Sequence, residues 1–156
     1  MFSCLFLSIC LALCGVNFSR EEGWRGIVPL HSTRADVERL LGPSPETGYG
    51  VTYDLGTESV TIEYSSCRCC EPKERRYDVR NYTVVRLSVS AEQKPQFSEL
   101  NIDRTRFKEI TSDHLPDWRN YRNNETGVTY RVLNDIVHAT EYGPSAKDDR
   151  AFRCTN

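Results

Sequence analysis

Alternation of apolar and polar residues along several short segments constrains the fold of this chain more than any other feature. A period of two is typical of half-buried β-strands, whose successive side chains point to opposite faces of a sheet. Turn signals such as Gly56-Thr57 and Asn134-Asp135 separate neighbouring segments and favour hairpins. The pattern therefore predicts a mostly antiparallel sheet of about six or seven strands. Its clearest segments are Tyr49–Leu55, Glu58–Tyr64, Tyr82–Ser90, Val128–Val132 and Ile136–Tyr142.

Other segments give weaker strand signals. Residues 118–123 are a candidate strand, and Phe97, Leu100 and Ile102 mark a less regular extended segment. Residues 107–110 are ambiguous between strand and turn. From Ser145 the sequence is a polar tail, which Phe152 and Cys154 are expected to anchor.

One short helix is predicted within residues 31–43, ahead of the strands. Ser32 or Thr33 can cap its first turn, and Gly42 followed by Pro43 ends it. Val37, Leu40 and Leu41 give it a narrow apolar stripe. A single N-terminal helix followed by strands predicts one α+β domain over residues 20–156.

The segment from Trp24 to Pro43 is similar to the opening of a group of short, exported bacterial proteins. Its core, Thr33-Arg34-Ala35-Asp36-Val37-x-x-Leu40-Leu41-Gly42-Pro43, also resembles the small outer-membrane lipoprotein family (SmpA/OmlA-like). Members of that family assist β-barrel assembly, and similar domains occur in β-lactamase inhibitor proteins. The resemblance implies a helical lead followed by an antiparallel sheet.

An uncharged apolar run, Leu5–Val16, opens the chain. Its twelve residues are too few to cross a hydrocarbon core about 30 Å thick, but they match the apolar region of a secretory signal. Cleavage is expected before Gly15 or near Ser19. We therefore expect residues 1–19 to be a removable signal segment and the mature chain, without a transmembrane segment, to be periplasmic or extracellular.

The alternative to a freely released mature chain is a chain anchored by a lipid on Cys14, and the sequence favours it less. A bacterial lipoprotein signal places a small residue directly before the acylated cysteine, whereas Leu13 is bulky.

Four cysteines remain after the predicted signal, namely Cys67, Cys69, Cys70 and Cys154. An even number in an exported chain favours disulfides, but a bridge between the adjacent Cys69 and Cys70 would strain the peptide unit. We expect Cys154 to form a disulfide with one of the other three cysteines, and the sequence leaves open which one. The alternatives are a metal site, because thiolates bind zinc or copper, and a redox motif approximating Cys-x-x-Cys.

Motifs for catalysis are absent from the sequence. The histidines are His31, His114 and His138, and His114 with Asp113 or Asp117 is a weak candidate for an acid–base pair. The interspersed charges, with a net charge of -2, give no support to nucleic-acid binding. We therefore predict no catalytic, cofactor-binding or metal-binding residues.

Aromatic residues fall mainly on the predicted strands, where packing within the sheet is the preferred interpretation. Residues 118–122, which mix Trp118 and Tyr121 with arginines, fit either a solvated strand or a contact with a partner. The whole sequence predicts an exported, non-enzymatic binding or envelope-associated module, using an exposed sheet face or edge to engage another envelope protein. The alternative is a thiol or metal-binding protein using Cys67, Cys69 and Cys70.

Overall fold

Strands make up most of the regular structure in the computed structural model, which describes residues 23–70, 76–112 and 115–155. The predicted signal segment and His114 lie outside the described residues. The two α-helices are α1, Arg34–Leu41, and α2, Ala146–Phe152. The strands are β1 (Gly50–Asp54), β2 (Glu58–Tyr64), β3 (Val84–Ala91), β4 (Lys108–Ser112), β5 (Leu115–Arg122), β6 (Val128–Leu133) and β7 (Ile136–Tyr142).

The strands form one sheet in the order β1-β2-β3-β7-β6-β5-β4, and neighbouring strands are antiparallel throughout. Consecutive strands pair within β1–β3 and within β4–β7. The two runs meet where β3 lies beside β7, with Leu87 opposite Tyr142 and Val89 opposite Thr140. An α+β domain with a mostly antiparallel sheet, as the sequence predicts, describes this arrangement.

The prediction of a single helix at the N-terminus is wrong in two respects. A turn closed by backbone hydrogen bonds between Trp24 and Ile27 precedes α1, so the helix is not N-terminal. A second helix, α2, forms where the sequence predicts a polar tail. Hydrophobic periodicity does not reveal α2, because its seven residues carry no apolar stripe. Its start is nevertheless capped, since Ser145 Oγ accepts a hydrogen bond from the Asp148 amide at 3.1 Å.

The start and end of α1 follow from local sequence chemistry. Thr33 Oγ1 accepts the Asp36 amide at 3.3 Å, while the Asp36 carboxylate accepts the Thr33 amide at 2.9 Å. This reciprocal pair satisfies two amide groups that the first turn leaves without helical partners. At the other end Gly42 has φ +94°, which lets the chain turn away without the strain that a side chain would add.

The first face of the sheet carries the main hydrophobic core. Alternate residues of β1, β2 and β3 point to this face and pack against Trp24, Ile27 and Val37, which come from the leading turn and α1. Burying a large aliphatic side chain stabilises a fold by about 1.5–3 kcal/mol, so this layer fixes α1 on the sheet. The strand residues in it are Val51, Tyr53, Val60, Ile62, Tyr64, Val84, Leu87 and Val89.

Residues 97–107 pack against the first face at the other half of the sheet. Phe97 stacks on Tyr121 with ring centroids 4.2 Å apart and contacts Val132 and Val137. The sequence predicts an extended segment here, but short 3₁₀ helices at Phe97–Glu99 and Arg104–Arg106 replace it, and β4 starts only at Lys108. The apolar residues of this segment therefore mark a covering loop rather than a strand.

Helix α2 belongs to a separate cluster. The β2–β3 pairing is irregular between Glu63 and Tyr64, and Val85 lies outside the main core, packed with Leu30, Tyr77, Val79 and Phe152. Phe152 thus fastens α2 to the rest of the domain. No helix in the described part of the chain is long and apolar enough to cross a bilayer.

Candidate functional site

The described histidines have separate surroundings. His31 Nε2 lies 3.1 Å from Asp148 Oδ1, so this contact links the segment before α1 to α2. His138 lies beside Trp118, with ring centroids 5.0 Å apart, and its Nδ1 is 3.3 Å from Lys94 Nζ. Of the acid–base candidates, His114 and Asp113 lie outside the described residues, and Asp117 is an exposed residue of β5.

The four candidate cysteines form two pairs. Cys69 pairs with Cys154, with Cα atoms 5.8 Å apart and a sequence separation of 85 residues. Cys67 pairs with Cys70, with Cα atoms 5.4 Å apart. This supports the expected disulfides and identifies Cys69 as the partner that the sequence left open. Because such bonds persist in oxidising surroundings, the pairing indicates a non-cytoplasmic compartment.

Hydrogen bonds around the long-range disulfide fasten α2. Tyr77 Oη donates to Asp149 at 2.8 Å, and Arg153 pairs with the same carboxylate. Burial acts to raise the pKa of Asp149, but the hydrogen bonds from Arg153 and Tyr77 outweigh it and the net pKa is lowered. Burial, with the bond to Asp149, raises the pKa of Tyr77 to about 12, so the phenol remains a donor at neutral pH. Together with the Cys69–Cys154 pair, these contacts fasten α2 to the rest of the domain.

Metal binding at the cysteines would require reduced thiols, since a metal coordinates the thiolate. Within residues 23–70, 76–112 and 115–155, no three histidine, cysteine or acidic side chains are grouped as metal ligands.

The second face of the sheet, here called the polar face, carries a row of hydrophilic residues across all seven strands. The strand registers place these residues opposite one another in turn: Thr52, Thr61, Ser88, Glu141, Thr129, Arg122 and Lys108. None of them belongs to the three buried clusters, and all except Thr129 are at least partly exposed. An antiparallel sheet commonly buries one face and leaves the other solvated, and here the polar face is at least partly exposed except at positions such as Thr129 and Ala139.

An ion-pair row crosses the polar face diagonally from β2 to β6. Arg86 contacts Glu63 on one side and Glu141 on the other, at 2.5 Å and 3.9 Å, and Arg131 reaches the far oxygen of Glu141 at 3.5 Å. The Glu63 contact raises the pKa of Arg86, so this guanidinium stays charged. The row therefore alternates acid and base over four strands.

The row ends on an aromatic ring. The Arg131 guanidinium carbon lies 5.3 Å from the centre of the Trp118 ring, within the range of a cation–π contact. Arginine and tryptophan are enriched at the energetic centres of protein interfaces, and here the contacts with Glu141 and Trp118 restrict the Arg131 side chain.

A cavity of about 520 Å³ lies on the first face, between the sheet and residues 100–107. Its floor is Val128 and Tyr130 of β6 with Thr140 and Tyr142 of β7. The loop from Asn123 to Val128 closes one side, where Gly127 has φ +76° and a side chain would collide with the Gly143 carbonyl. The residues contributed by the cover are Leu100, Asn101, Ile102, Asp103, Arg106 and Phe107.

The sequence singles out only residues 118–122 as a possible partner contact, and Trp118 and Arg122 of that range lie on the polar face. The polar positions of each strand are visible in the alternation, but Glu63 and Glu141 are brought together by strand order, which local sequence does not encode. The cavity depends likewise on a covering loop whose course is not periodic.

Comparisons with protein-family models, with curated proteins and with solved structures find no match to this chain.

Proposed function

We propose that this protein is an exported, non-enzymatic binding module that engages another envelope protein through its polar face. The observation that carries the proposal is the ion-pair row Glu63–Arg86–Glu141–Arg131, which ends on Trp118. A single surface ion pair contributes about 0–1 kcal/mol to stability, and linked charges can contribute more, but this row also leaves its arginines and Trp118 partly exposed for contact with a partner.

The row suits recognition for two reasons. Its arginines and tryptophan are residue types that dominate binding energy at interfaces. Its contacts also restrict side chains before binding, which lowers the entropy lost when a partner docks. Because acids and bases alternate, the expected partner presents a mixed-charge surface rather than a uniformly charged one.

The setting supports a role outside the cytoplasm. The paired cysteines fit an oxidising compartment, and the apolar run Leu5–Val16 is the segment expected to direct export. The likeness of residues 33–43 to small outer-membrane lipoproteins agrees with an envelope partner. The alternative thiol or metal function has less support, because Cys67, Cys69 and Cys70 are all paired.

Site-directed photo-crosslinking in the cells that make the protein tests this proposal. A photo-crosslinking amino acid replaces Ser88, on the polar face, or Leu40, an exposed residue of α1 in the layer over the first face. We expect one discrete adduct from position 88 and none of that mass from position 40. The same adducts from both positions, or none from position 88, would contradict the proposal.

A matched pair of arginine variants sharpens the test. Arg131→Gln is expected to abolish the adduct from position 88. Arg25→Gln is the control, because Arg25 also pairs with a glutamate, Glu58, and lies 4.8 Å from a tryptophan ring, Trp24, but away from the polar face. Equal loss of the adduct in both variants would contradict a specific role for the polar face.

A further inference from the structure

The cavity on the first face has the dimensions of a ligand site. Its volume of about 520 Å³ lies within the range of roughly 300–1,000 Å³ that is common for small-molecule pockets. It occupies the region where β6 and β7 pass under the loop of residues 100–107. The cavity and the polar face lie on opposite sides of the sheet, so a ligand in the cavity would act independently of a protein bound to the polar face.

The lining combines aromatic surface with hydrogen-bonding groups. Phe107, Tyr130 and Tyr142 supply rings, and Thr126 and Thr140 supply hydroxyl groups. The remaining polar groups are planar and can each make more than one hydrogen bond. They are Asn101, Asp103, Arg106 and Asn123.

The charges of the lining disfavour a ligand that carries a net charge. The lining holds one carboxylate, Asp103, and one guanidinium, Arg106, so its formal charge is zero. Arg106 Nη2 is paired with Glu125 at 2.9 Å, which further reduces the attraction of this corner for an anion. A wholly apolar ligand is also disfavoured, because it would separate these polar groups from water without replacing their hydrogen bonds.

The cover is held so that the cavity keeps its shape. The Arg104 guanidinium lies 5.4 Å from the centre of the Phe97 ring and donates to the Phe97 carbonyl at 3.2 Å. Asp103 accepts the Thr105 amide at 3.1 Å and the Thr105 hydroxyl at 2.6 Å, which orients its carboxylate at the start of a 3₁₀ helix. A largely preformed cavity requires little ordering when it binds a ligand.

We propose that this cavity binds a neutral saccharide of one or two rings. A sugar ring presents apolar C–H faces, which can pack on Phe107 and the two tyrosines. Its hydroxyl groups both donate and accept, as Asp103, Asn101 and Asn123 together require. The proposal is independent of the protein-binding function assigned to the polar face.

NMR titration of the isotope-labelled full chain tests the assignment. The probes are maltose, cellobiose and diacetylchitobiose, and decanoate serves as an anionic, apolar comparison. We expect at least one disaccharide to cause saturable shifts in the amide signals of residues 100–107 and of Thr140. Decanoate is expected to leave these signals unchanged. Absence of saturable shifts with all three sugars, or saturable shifts with decanoate alone, would overturn the proposal.

Two aspartate variants make the result specific. Asp103→Asn is expected to weaken the affinity for the responding sugar by about tenfold, which corresponds to about 1.4 kcal/mol. Asp54→Asn is the matched control, because Asp54 also accepts a backbone amide two residues on, that of Gly56 at 2.9 Å, and lies on strand β1 outside the cavity. The control should bind like the parent protein; equal weakening in both variants would overturn the site.

Discussion

The main core contains two buried tyrosine hydroxyl groups, whereas buried polar groups in proteins usually have hydrogen-bond partners. Tyr53 and Tyr64 are 4 % and 2 % exposed, and neither hydroxyl has a hydrogen-bond partner in the described residues. Burial, followed by the neighbouring Tyr53 phenol, raises the pKa of Tyr64 well above its usual range, since the phenolate would be poorly solvated. A buried polar group without a partner costs free energy, so these hydroxyls contribute little to stability.

The hydroxyl of Tyr53 can therefore be removed without loss of stability. We expect Tyr53→Phe to leave the free energy of unfolding unchanged or to raise it by up to about 1 kcal/mol. Tyr77→Phe, which loses the 2.8 Å bond to Asp149, should lower it by about 1–2 kcal/mol. Urea unfolding followed by circular dichroism measures both. Equal destabilisation by the two changes would show that Tyr53 has a partner, such as a buried water.

Residue roles were predictable from sequence where they depend on near neighbours. Thr33 and Gly42 act at the ends of α1 as expected, and Val37 is fully buried. The role of Arg34 could not be predicted. Its guanidinium donates to Ser44 Oγ at 2.8 Å and to the Gly48 carbonyl at 3.0 Å, and both depend on the course of the following loop. Residues 33–42, which carry the family resemblance, thus have structural roles in this fold.

At the scale of single elements, the cap of α1 should make the stability of the fold depend on pH. The Thr33 amide and hydroxyl, followed by Arg39, hold the pKa of Asp36 below its usual value. A carboxylate with a lowered pKa in the folded state stabilises the fold above its unfolded pKa, about 3.9, and this contribution is lost as the pH falls through the folded value.

Replacement of Asp36 should therefore lower the free energy of unfolding at neutral pH and lower it less in acid. We expect the stability difference between the parent protein and Asp36→Asn, measured by urea unfolding, to narrow as the pH falls from about 6 to 3. Arg39→Gln should retain most of this pH dependence, because the largest cause is the Thr33 amide. If Arg39→Gln removed it, the ion pair rather than the cap would be responsible.

Elements were predictable where periodicity or turn chemistry is strong. The Asn134-Asp135 turn forms as expected, with φ values of 50° and 62° that asparagine and aspartate tolerate better than most residues. Helix α2 and the 3₁₀ helices of residues 97–106 were missed, because their form depends on packing rather than on a periodic apolar pattern. A sequence signal for α2 does exist, since Ser145 and Asp148 have the spacing of a capping pair.

At the scale of the whole molecule, the two disulfides should contribute unequally. The Cys69–Cys154 bridge spans 85 residues, so in the chain-entropy model its removal costs about 4–5 kcal/mol. We expect the Cys69→Ser/Cys154→Ser double variant to lose much of its stability in urea unfolding. The Cys67→Ser/Cys70→Ser variant, whose bridge has a sequence separation of 3, should lose far less. A larger loss in the second variant would contradict this assignment.

The fold class of the whole molecule was predictable from the sequence, but the order of the strands in the sheet was not. Alternation indicates how many strands form and that hairpins join most of them. It cannot indicate that β3 lies beside β7, because Leu87 and Tyr142 are brought together by packing between distant segments. For the same reason the cysteine cluster could be recognised while the partner of Cys154 could not.

The position of β7 between β3 and β6 has a consequence for how the protein assembles. The β1–β2 pair and the β4–β7 run can form through short-range hairpins, and β3 joins β2 across residues 65–83, whereas the junction of β3 with β7 requires closure of a loop of more than fifty residues. We therefore expect docking of the two meanders along Val89, Ser88 and Leu87 to be the last step in acquiring the native topology. The seam that results is the natural line along which the sheet would come apart.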